Sequence, residues 1–189
     1  MIDQHSLERT LHDRGALLHG HFRLSSGRHS DRFIQKFRIL EEPRLVEPIA
    51  RALAEHFRPS DPTVVVSAAV GGIILSYEVA RALGVKGIFV EKEGGVPTLR
   101  RGFAITPQDR VLIVEDVITT GGSVREVLSV VRAAGARIVG VGAIVVRGDA
   151  DFGVPFTAML DLPIVSFDIA DCPQCKAGDP IDDPGSRRS

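Results

Sequence analysis

Two adjacent carboxylates stand just before a run of hydroxyls and glycines in the segment VLIVEDVITTGGS, residues 111–123. The acids, Glu115 and Asp116, end an apolar stretch that is typical of a buried strand. Residues 119–123 then read Thr-Thr-Gly-Gly-Ser. In such a loop the glycines let the backbone approach a ligand, the hydroxyls donate hydrogen bonds, and the first N–H groups of the next helix favour an anion. The loop therefore predicts a phosphate-binding site.

The two acids cannot touch that phosphate because like charges repel, and in extended chain they stand on the order of 10 Å upstream of it. A ribose fills this gap, since its 2′ and 3′ hydroxyls can donate to carboxylates while its 5′-phosphate lies in the loop. The chain has neither the GxxxxGK[ST] loop nor a GxGxxG motif, so nucleoside triphosphate and dinucleotide binding are not indicated. An uninvolved strand-to-helix turn is the alternative, but acids at the end of a buried strand need a partner.

The elements that must position this segment follow from the hydrophobic pattern. Short apolar runs predict buried strands, and two further short segments are candidate strands; these are residues 61–67, 87–91, 110–116 and 137–146, with 156–160 and 163–168 as the further two. Strands that alternate with helices predict an α/β fold, a doubly wound and mainly parallel sheet with helices on both faces. In such a sheet, ligands bind beyond the carboxyl ends of the strands.

Helical spacing of apolar residues predicts four helices, two before the first of these runs and two between later ones. One begins with Ser6 as its N-cap and buries Leu7 and Leu11, and a second begins near Pro43. A third covers about 73–83. The fourth begins with Ser123 as its N-cap and buries one stripe of its surface, made of Val124, Val127, Leu128 and Val131.

Composition limits the class of protein. The chain has 189 residues and a net charge of −1, which fits one α/β domain and indicates no dedicated nucleic-acid or anionic-membrane surface. No apolar run reaches the roughly 18 residues needed to span a bilayer, and the first residues are polar, so we expect a soluble, cytoplasmic protein. Two cysteines cannot form a disulfide framework.

Residues 111–123 resemble the phosphoribosyl pyrophosphate (PRPP) signature of type I phosphoribosyltransferases. Residues 15–35, GALLHGHFRLSSGRHSDRFIQ, resemble the N-terminal segment of orotate phosphoribosyltransferases. CPQC at 172–175 and PGSR at 184–187 are similar to the chain ends of a subgroup of that family. The resemblance covers most of the chain and implies the type I phosphoribosyltransferase fold.

The fold implied by this resemblance is one domain in three parts. An N-terminal hood covers residues 1–60, the parallel-sheet core covers 61–170, and a C-terminal tail covers 171–189. We expect the end of the tail, residues 179–189, to be mobile because it is rich in proline and charge.

The resemblance implies a role for each part of the site. PRPP would contact Ala69 and Gly71 of the loop SAAVGGI, residues 67–73, and every residue from the acids to the end of the phosphate loop: Glu115, Asp116, Val117, Ile118, Thr119, Thr120, Gly121, Gly122 and Ser123. Phe33 would stack on orotate, Thr119 would meet the base, and Arg147 would face the orotate carboxylate. Core packing for Phe33, a surface position for Arg147 and a plain turn at 67–73 are the alternatives.

Residues 91–103, EKEGGVPTLRRGF, resemble the lid that closes over the site in this family, often over that of a neighbouring subunit in a homodimer. Lys92, Arg100 and Arg101 would then supply cations to the departing pyrophosphate, and with Asp116 they form the expected catalytic set. A solvated hairpin is the alternative. Mg²⁺ is the expected cofactor, on pyrophosphate and ribose oxygens, and no side chain is assigned as a metal ligand.

The reaction implied is transfer of the phosphoribosyl group from PRPP to orotate, which gives orotidine 5′-monophosphate and pyrophosphate. A phosphoribosyltransferase for another nucleobase, or a non-catalytic regulator that senses PRPP, are the alternatives. The chain departs from the common family pattern at Ser25, where many members have lysine, in the 67–73 loop, which lacks a lysine, and in the arginines of the lid.

Cys172 and Cys175 have a spacing that can hold zinc, but a site needs four ligands and the chain has only two cysteines. A zinc site shared across a dimer, a redox pair and an inert turn all stay open.

Overall fold

The computed structural model describes residues 4–24 and 26–184. A six-stranded sheet in the order β5-β4-β3-β6-β7-β8 forms its centre, and every neighbouring pair is parallel except β4 with β5. The strands are β3 (Val64–Ala68), β4 (Lys86–Glu93), β5 (Val96–Leu99), β6 (Arg110–Ile118), β7 (Arg137–Val146) and β8 (Phe156–Asp161). The predicted α/β fold with a mainly parallel sheet is confirmed.

Helices cover both faces of this sheet. The α-helices of the described residues are α1 (Gln4–Asp13), α2 (Phe37–Leu40), α3 (Pro43–Phe57), α4 (Gly72–Leu83), α5 (Gly122–Ala133) and α6 (Pro173–Ala177). Of these, α1 to α4 share the core on one face and α5 packs on the other. Alternate residues of the central strands enter two separate cores: Leu112 and Val114 pack on the side of α3 and α4, whereas Val111 and Ile113 pack on the side of α5. This alternation explains why the strands read as continuous apolar runs. Among the described residues, no helix is long and apolar enough to cross a membrane.

A separate two-stranded hairpin, β1 (Leu17–Arg23) and β2 (His29–Ile34), forms the hood. Its strands were not predicted. Leu7 and Leu11 of α1 are buried as predicted and share the core of α3 and α4. The hood therefore packs against one face of the main sheet.

Three local predictions were wrong. Ser6 lies inside α1, where its carbonyl accepts a hydrogen bond from the Thr10 hydroxyl, so it is not the N-cap. Gly121, at φ +75°, takes the N-cap position of α5 that was predicted for Ser123. Residues 163–168 form no strand, because hood side chains bind their backbone carbonyls: Ser30 Oγ donates to Val165 O at 2.8 Å.

The tail is attached to the hood as far as it is described. Asp182 N–H donates to His21 O at 2.8 Å, Arg23 N–H donates to Asp182 O at 3.0 Å, and Arg23 pairs with Asp183 at 2.7 Å. Residues 179–184 therefore continue along β1 instead of being free, contrary to the expected mobile tail. Residues 185–189, which hold most of the PGSR motif, and Ser25 lie outside the described residues.

The core of α3 gives a direct test of this packing. Leu53 is fully buried against the sheet, so Leu53→Ala should lower the free energy of unfolding by about 2–5 kcal/mol, measured by urea denaturation. Leu45→Ala, at a half-buried leucine of the same helix, is the matched control and should cost clearly less. Equal losses for the two variants would show that the face of α3 is assigned wrongly.

Candidate active site

The two predicted acids lie at the carboxyl end of β6, in the middle of the sheet. Glu115 is 7% exposed and Asp116 is 1% exposed. Because β6 is flanked by the parallel strands β3 and β7, this end of the strand opens into the crevice where α/β sheets bind ligands.

Asp116 is compensated by groups from two segments. The Lys36 ammonium lies 3.0 Å from Asp116 Oδ1 and 2.8 Å from Oδ2, and the Val117 N–H donates to Oδ1 at 2.6 Å. Lys36 belongs to the short connection between β2 and α2, so this ion pair joins the hood to the centre of the sheet. A buried carboxylate without such partners would be strongly destabilising.

Glu115 has a different protonation from an ordinary glutamate. Burial, together with the negative charge of Asp116, raises the pKa of Glu115 to about 8. The Asp116 N–H, which donates to Glu115 Oε1 at 3.0 Å, only partly offsets this effect. Glu115 is therefore largely protonated near neutral pH, and the pair holds one proton that a bound ligand can displace.

The predicted phosphate loop follows directly. Thr119, Thr120, Gly122 and Ser123 are exposed, and Gly121 has a left-handed φ of +75°. A Cβ at Gly121 would come within 2.8 Å of the Phe152 ring, so glycine is required there for space as well as for conformation. The hydroxyls and the first N–H groups of α5 are thus open to an anion. Val117 is half-buried and Ile118 is buried, and the predicted contact of these two residues with PRPP stays a prediction.

The loop between β3 and α4 lies against the acids. A Cβ at Gly71 would overlap Asp116 Oδ2 and lie 2.6 Å from Lys36 Nζ. Only glycine lets the backbone come this close, so the structure brings the 67–73 loop and the acids into one site. Ala69 is exposed beside Gly71, and its N–H donates to Val90 O at 2.8 Å.

Arg147 directly follows β7, at the same edge of the sheet as the acids. Its N–H donates to Ile118 O at 2.9 Å, while its side-chain Nε is buried and has no hydrogen-bond partner in the described part of the chain. Burial lowers the pKa of Arg147, and the positive charge of Arg32 lowers it further. Two cations held together with an unsatisfied buried donor indicate a place for an anion.

Phe33 lies on β2, where its ring centroid is 5.8 Å from that of Phe22. Side chains alternate along a strand, so Phe33 points to the face opposite Arg32 and Ile34. Ile34 is buried in the core on the side of α3. The stacking of Phe33 on a pyrimidine stays a prediction.

The 91–103 segment forms the predicted hairpin from β4 and β5, with Gly94 and Gly95 in its turn. Its cations pair with carboxylates of the same chain: Lys92 with Glu126 at 2.7 Å, Arg100 with Glu93 at 3.3 Å, and Arg101 with Glu91 at 3.1 Å. The structure therefore places Lys92 against α5 and does not place these cations on Asp116. Their catalytic role stays a prediction.

Comparison with known proteins decides the family. A model described as "Phosphoribosyl transferase domain" matches residues 37–151. The orotate phosphoribosyltransferase of Pelotomaculum thermopropionicum is 54% identical over 176 residues, which cover 92% of this chain and 93% of that protein. That of Heliobacterium modesticaldum is 51% identical over 176 residues, covering 91% and 92% respectively. This chain belongs to the orotate phosphoribosyltransferase family.

A solved member of the orotate phosphoribosyltransferase family has the same architecture. The crystal structure of the Aeropyrum pernix enzyme matches with a TM-score of 0.70 and 28% identity, over 82% of this chain and 93% of that one. The resemblance in the PRPP signature and the N-terminal segment is therefore confirmed at the level of the family and its fold.

Two charged residues of this family member were missed by sequence reasoning. Lys36 stands 80 positions before its partner Asp116. Arg32 lies within residues 15–35, but the sequence pattern indicated no role for it. The position of Lys36 directly after residues 15–35 could have drawn attention to it, but no sequence spacing connects it with Glu115 and Asp116.

The raised pKa of Glu115 makes stability depend on pH. The folded chain holds a proton that the unfolded chain releases above the ordinary pKa of 4.5, so this stabilisation is present below 4.5 and is lost as the pH rises through about 8. Between about pH 5.5 and pH 8.5 the free energy of unfolding should therefore fall in the parent chain relative to Glu115→Gln, as measured by urea denaturation.

Glu55→Gln is the control for this measurement. Glu55 is exposed, and its hydrogen bond with Arg58 lowers its pKa, so it titrates below this pH window and the variant should follow the parent chain. Parallel curves for Glu115→Gln and the parent would contradict the raised pKa.

Proposed function

We propose that this chain transfers the 5-phosphoribosyl group of PRPP to orotate and so forms orotidine 5′-monophosphate and pyrophosphate. One observation carries the proposal: the buried pair Glu115 and Asp116 is followed at once by an exposed hydroxyl and glycine loop at the start of α5. The family to which the chain belongs, and the names of its relatives, support the choice of reaction.

The ribose of PRPP lies between these two features. Its 2′ and 3′ hydroxyls donate to the carboxyl oxygens of Glu115 and Asp116, and its 5′-phosphate accepts hydrogen bonds from residues 119–123. Lys36 keeps the Asp116 carboxylate in place. Such a cradle holds C1′ at a defined position above the end of the sheet.

Orotate is recognised by its charge. The Arg147 guanidinium, with its buried and unsatisfied Nε, donates hydrogen bonds to the carboxylate that distinguishes orotate from uracil. Thr119, exposed at the end of β6, is in reach of the same crevice. Arg32 adds positive charge beside Arg147.

Orotate N1 gives up its proton to solvent, and the bond between N1 and C1′ then forms as the bond from C1′ to the pyrophosphate oxygen breaks. Positive charge develops on the ribose, and the Asp116 carboxylate stabilises it, while the electron pair leaves with pyrophosphate. The loop that holds Ala69 and Gly71 would supply backbone N–H donors to the leaving group, although the Ala69 N–H itself donates to Val90 O. Lys92, Arg100 and Arg101 add charge there once the hairpin closes and excludes water.

Mg²⁺ is part of this proposal. Both acids already have partners, Asp116 in Lys36 and Glu115 in a backbone N–H, so the site fits a metal held mainly by phosphate and ribose oxygens of the substrate. Mg²⁺ bound in this way would supply positive charge against the leaving pyrophosphate.

A homodimer and a cytoplasmic location complete the proposal. Ile74 and Tyr77 are exposed apolar residues three positions apart on α4, and Val70 is exposed in the loop just before it, which suits contact with a second copy. The lid at 91–103 would then close on the neighbouring site. No nucleic acid or membrane takes part.

The function is tested by supplying the chain with PRPP and Mg²⁺ and following the consumption of orotate, uracil, adenine and xanthine separately. Orotate alone should be consumed, with one pyrophosphate released for each orotidine 5′-monophosphate. Turnover of another base at a similar rate would assign the chain to that base. PRPP binding in a calorimeter without any turnover would favour the sensing regulator.

The role of Arg147 gives a sharper prediction. Arg147→Gln should reduce kcat/KM for orotate by about 10- to 100-fold, because a charged hydrogen bond is lost, with little change in KM for PRPP. Arg137→Gln, at the exposed opposite end of the same strand, is the matched control and should behave as the parent chain. An equal rise in both KM values for Arg147→Gln would place this arginine outside the orotate pocket.

A further inference from the structure

Four side chains with metal-binding atoms meet at the junction of the hood and the tail. His21 lies on β1 and His29 begins β2. Cys172 directly precedes α6, and Cys175 lies within α6. Their nitrogen and sulfur atoms all lie within 4.8 Å of one another. His21, His29 and Cys172 are buried and Cys175 is half-buried. His21 and His29 of the hood thus provide the two further ligands that Cys172 and Cys175 need for a four-ligand site.

The distances suit a common ion. His21 Nε2 lies 3.0 Å from His29 Nδ1 and 3.4 Å from Cys172 Sγ, and Cys175 Sγ lies 3.2 Å from His29 Nδ1 and 3.6 Å from His21 Nε2. Tetrahedral zinc with ordinary Zn–N and Zn–S bonds sets its ligand atoms about 3.3 Å apart for two nitrogens and about 3.8 Å apart for two sulfurs. The cluster is close to that size before any adjustment.

The second nitrogen of His21 supports metal binding. Its Nδ1 lies 3.1 Å from the carbonyl oxygen of Asp179, which can only accept a hydrogen bond, so Nδ1 carries the proton. Nε2, which faces the two sulfurs, is then the unprotonated nitrogen. A backbone carbonyl that sets the tautomer of a ligating histidine in this way is usual at metal centres.

Hydrogen bonding alone accounts poorly for the cluster. Thiols are weak donors, and the two facing imidazole nitrogens can share only one proton. Four soft or borderline ligands in a nearly closed space are the set that zinc prefers over magnesium or calcium.

We propose that His21, His29, Cys172 and Cys175 bind one zinc ion and that this ion fastens the C-terminal segment to the hood hairpin. Four protein ligands leave no open position, so the ion is structural and takes no part in phosphoribosyl transfer. Two other contacts hold the same junction. The Gln174 side chain donates to Gly20 O at 2.8 Å, and the backbone of Asp182 pairs with β1. Binding would be coupled to folding of this junction.

Metal analysis of the full chain tests the proposal. Expressed without added zinc and purified under reducing conditions without chelators, the chain should contain about one zinc per molecule. Cys175→Ser should lower that content by at least about tenfold. His19→Asn alters an exposed histidine on the same strand as His21, is the matched control, and should keep the zinc.

A measurement on the unaltered chain covers the case in which Cys175→Ser does not fold. Replacement of the zinc by Co²⁺ should give the intense visible absorption of a tetrahedral ion with thiolate ligands. A chelator should lower the melting temperature of the parent chain and leave that of Cys175→Ser unchanged. Failure of the reduced parent chain to take up Zn²⁺ or Co²⁺, an octahedral Co²⁺ spectrum, or undiminished zinc in Cys175→Ser would each overturn the proposal.

Discussion

Burial of two carboxyl groups at the end of β6 constrains much of the surrounding structure, because neither group can be solvated there. Asp116 requires the ammonium of Lys36 and a backbone N–H, and Glu115 keeps its proton instead of its charge. Gly71 must lack a side chain so that its loop can lie against the same carboxylate. Three segments that are distant in sequence are therefore held together by one desolvated charge, and that arrangement costs free energy unless every partner is present.

Three separate contacts fasten the hood to the rest of the chain. Lys36 connects its end to the acids, and Ser30 binds the backbone after β8. The cluster of His21 with the two cysteines joins it to the tail. Since β2 also carries Arg32, which lies beside Arg147, the position of the hood determines the electrostatics around Arg147.

Sequence patterns predicted the sheet well, because each central strand must be apolar on both faces and each helix must bury one stripe. They failed where the backbone is satisfied by distant side chains. Residues 163–168 have the composition of a strand, but hydroxyl and guanidinium groups of the hood take their carbonyls, as Ser30 does for Val165. The hood strands themselves were missed because their polar and charged residues, such as His19 and Arg32, do not show the apolar pattern of the core.

The amino-acid sequence by itself determined the alternation of apolar strands and amphipathic helices in the sheet core, the adjacent pair Glu115 and Asp116, and the hydroxyl and glycine loop after them, because these depend on residues that are close together in the chain. Only the tertiary structure decided that Lys36 meets Asp116 across 80 positions and that His21 meets Cys172 across 151. Contacts of this kind arise from how separate elements pack, and side-chain convergence over such distances leaves no periodicity or spacing in the sequence from which it could be read.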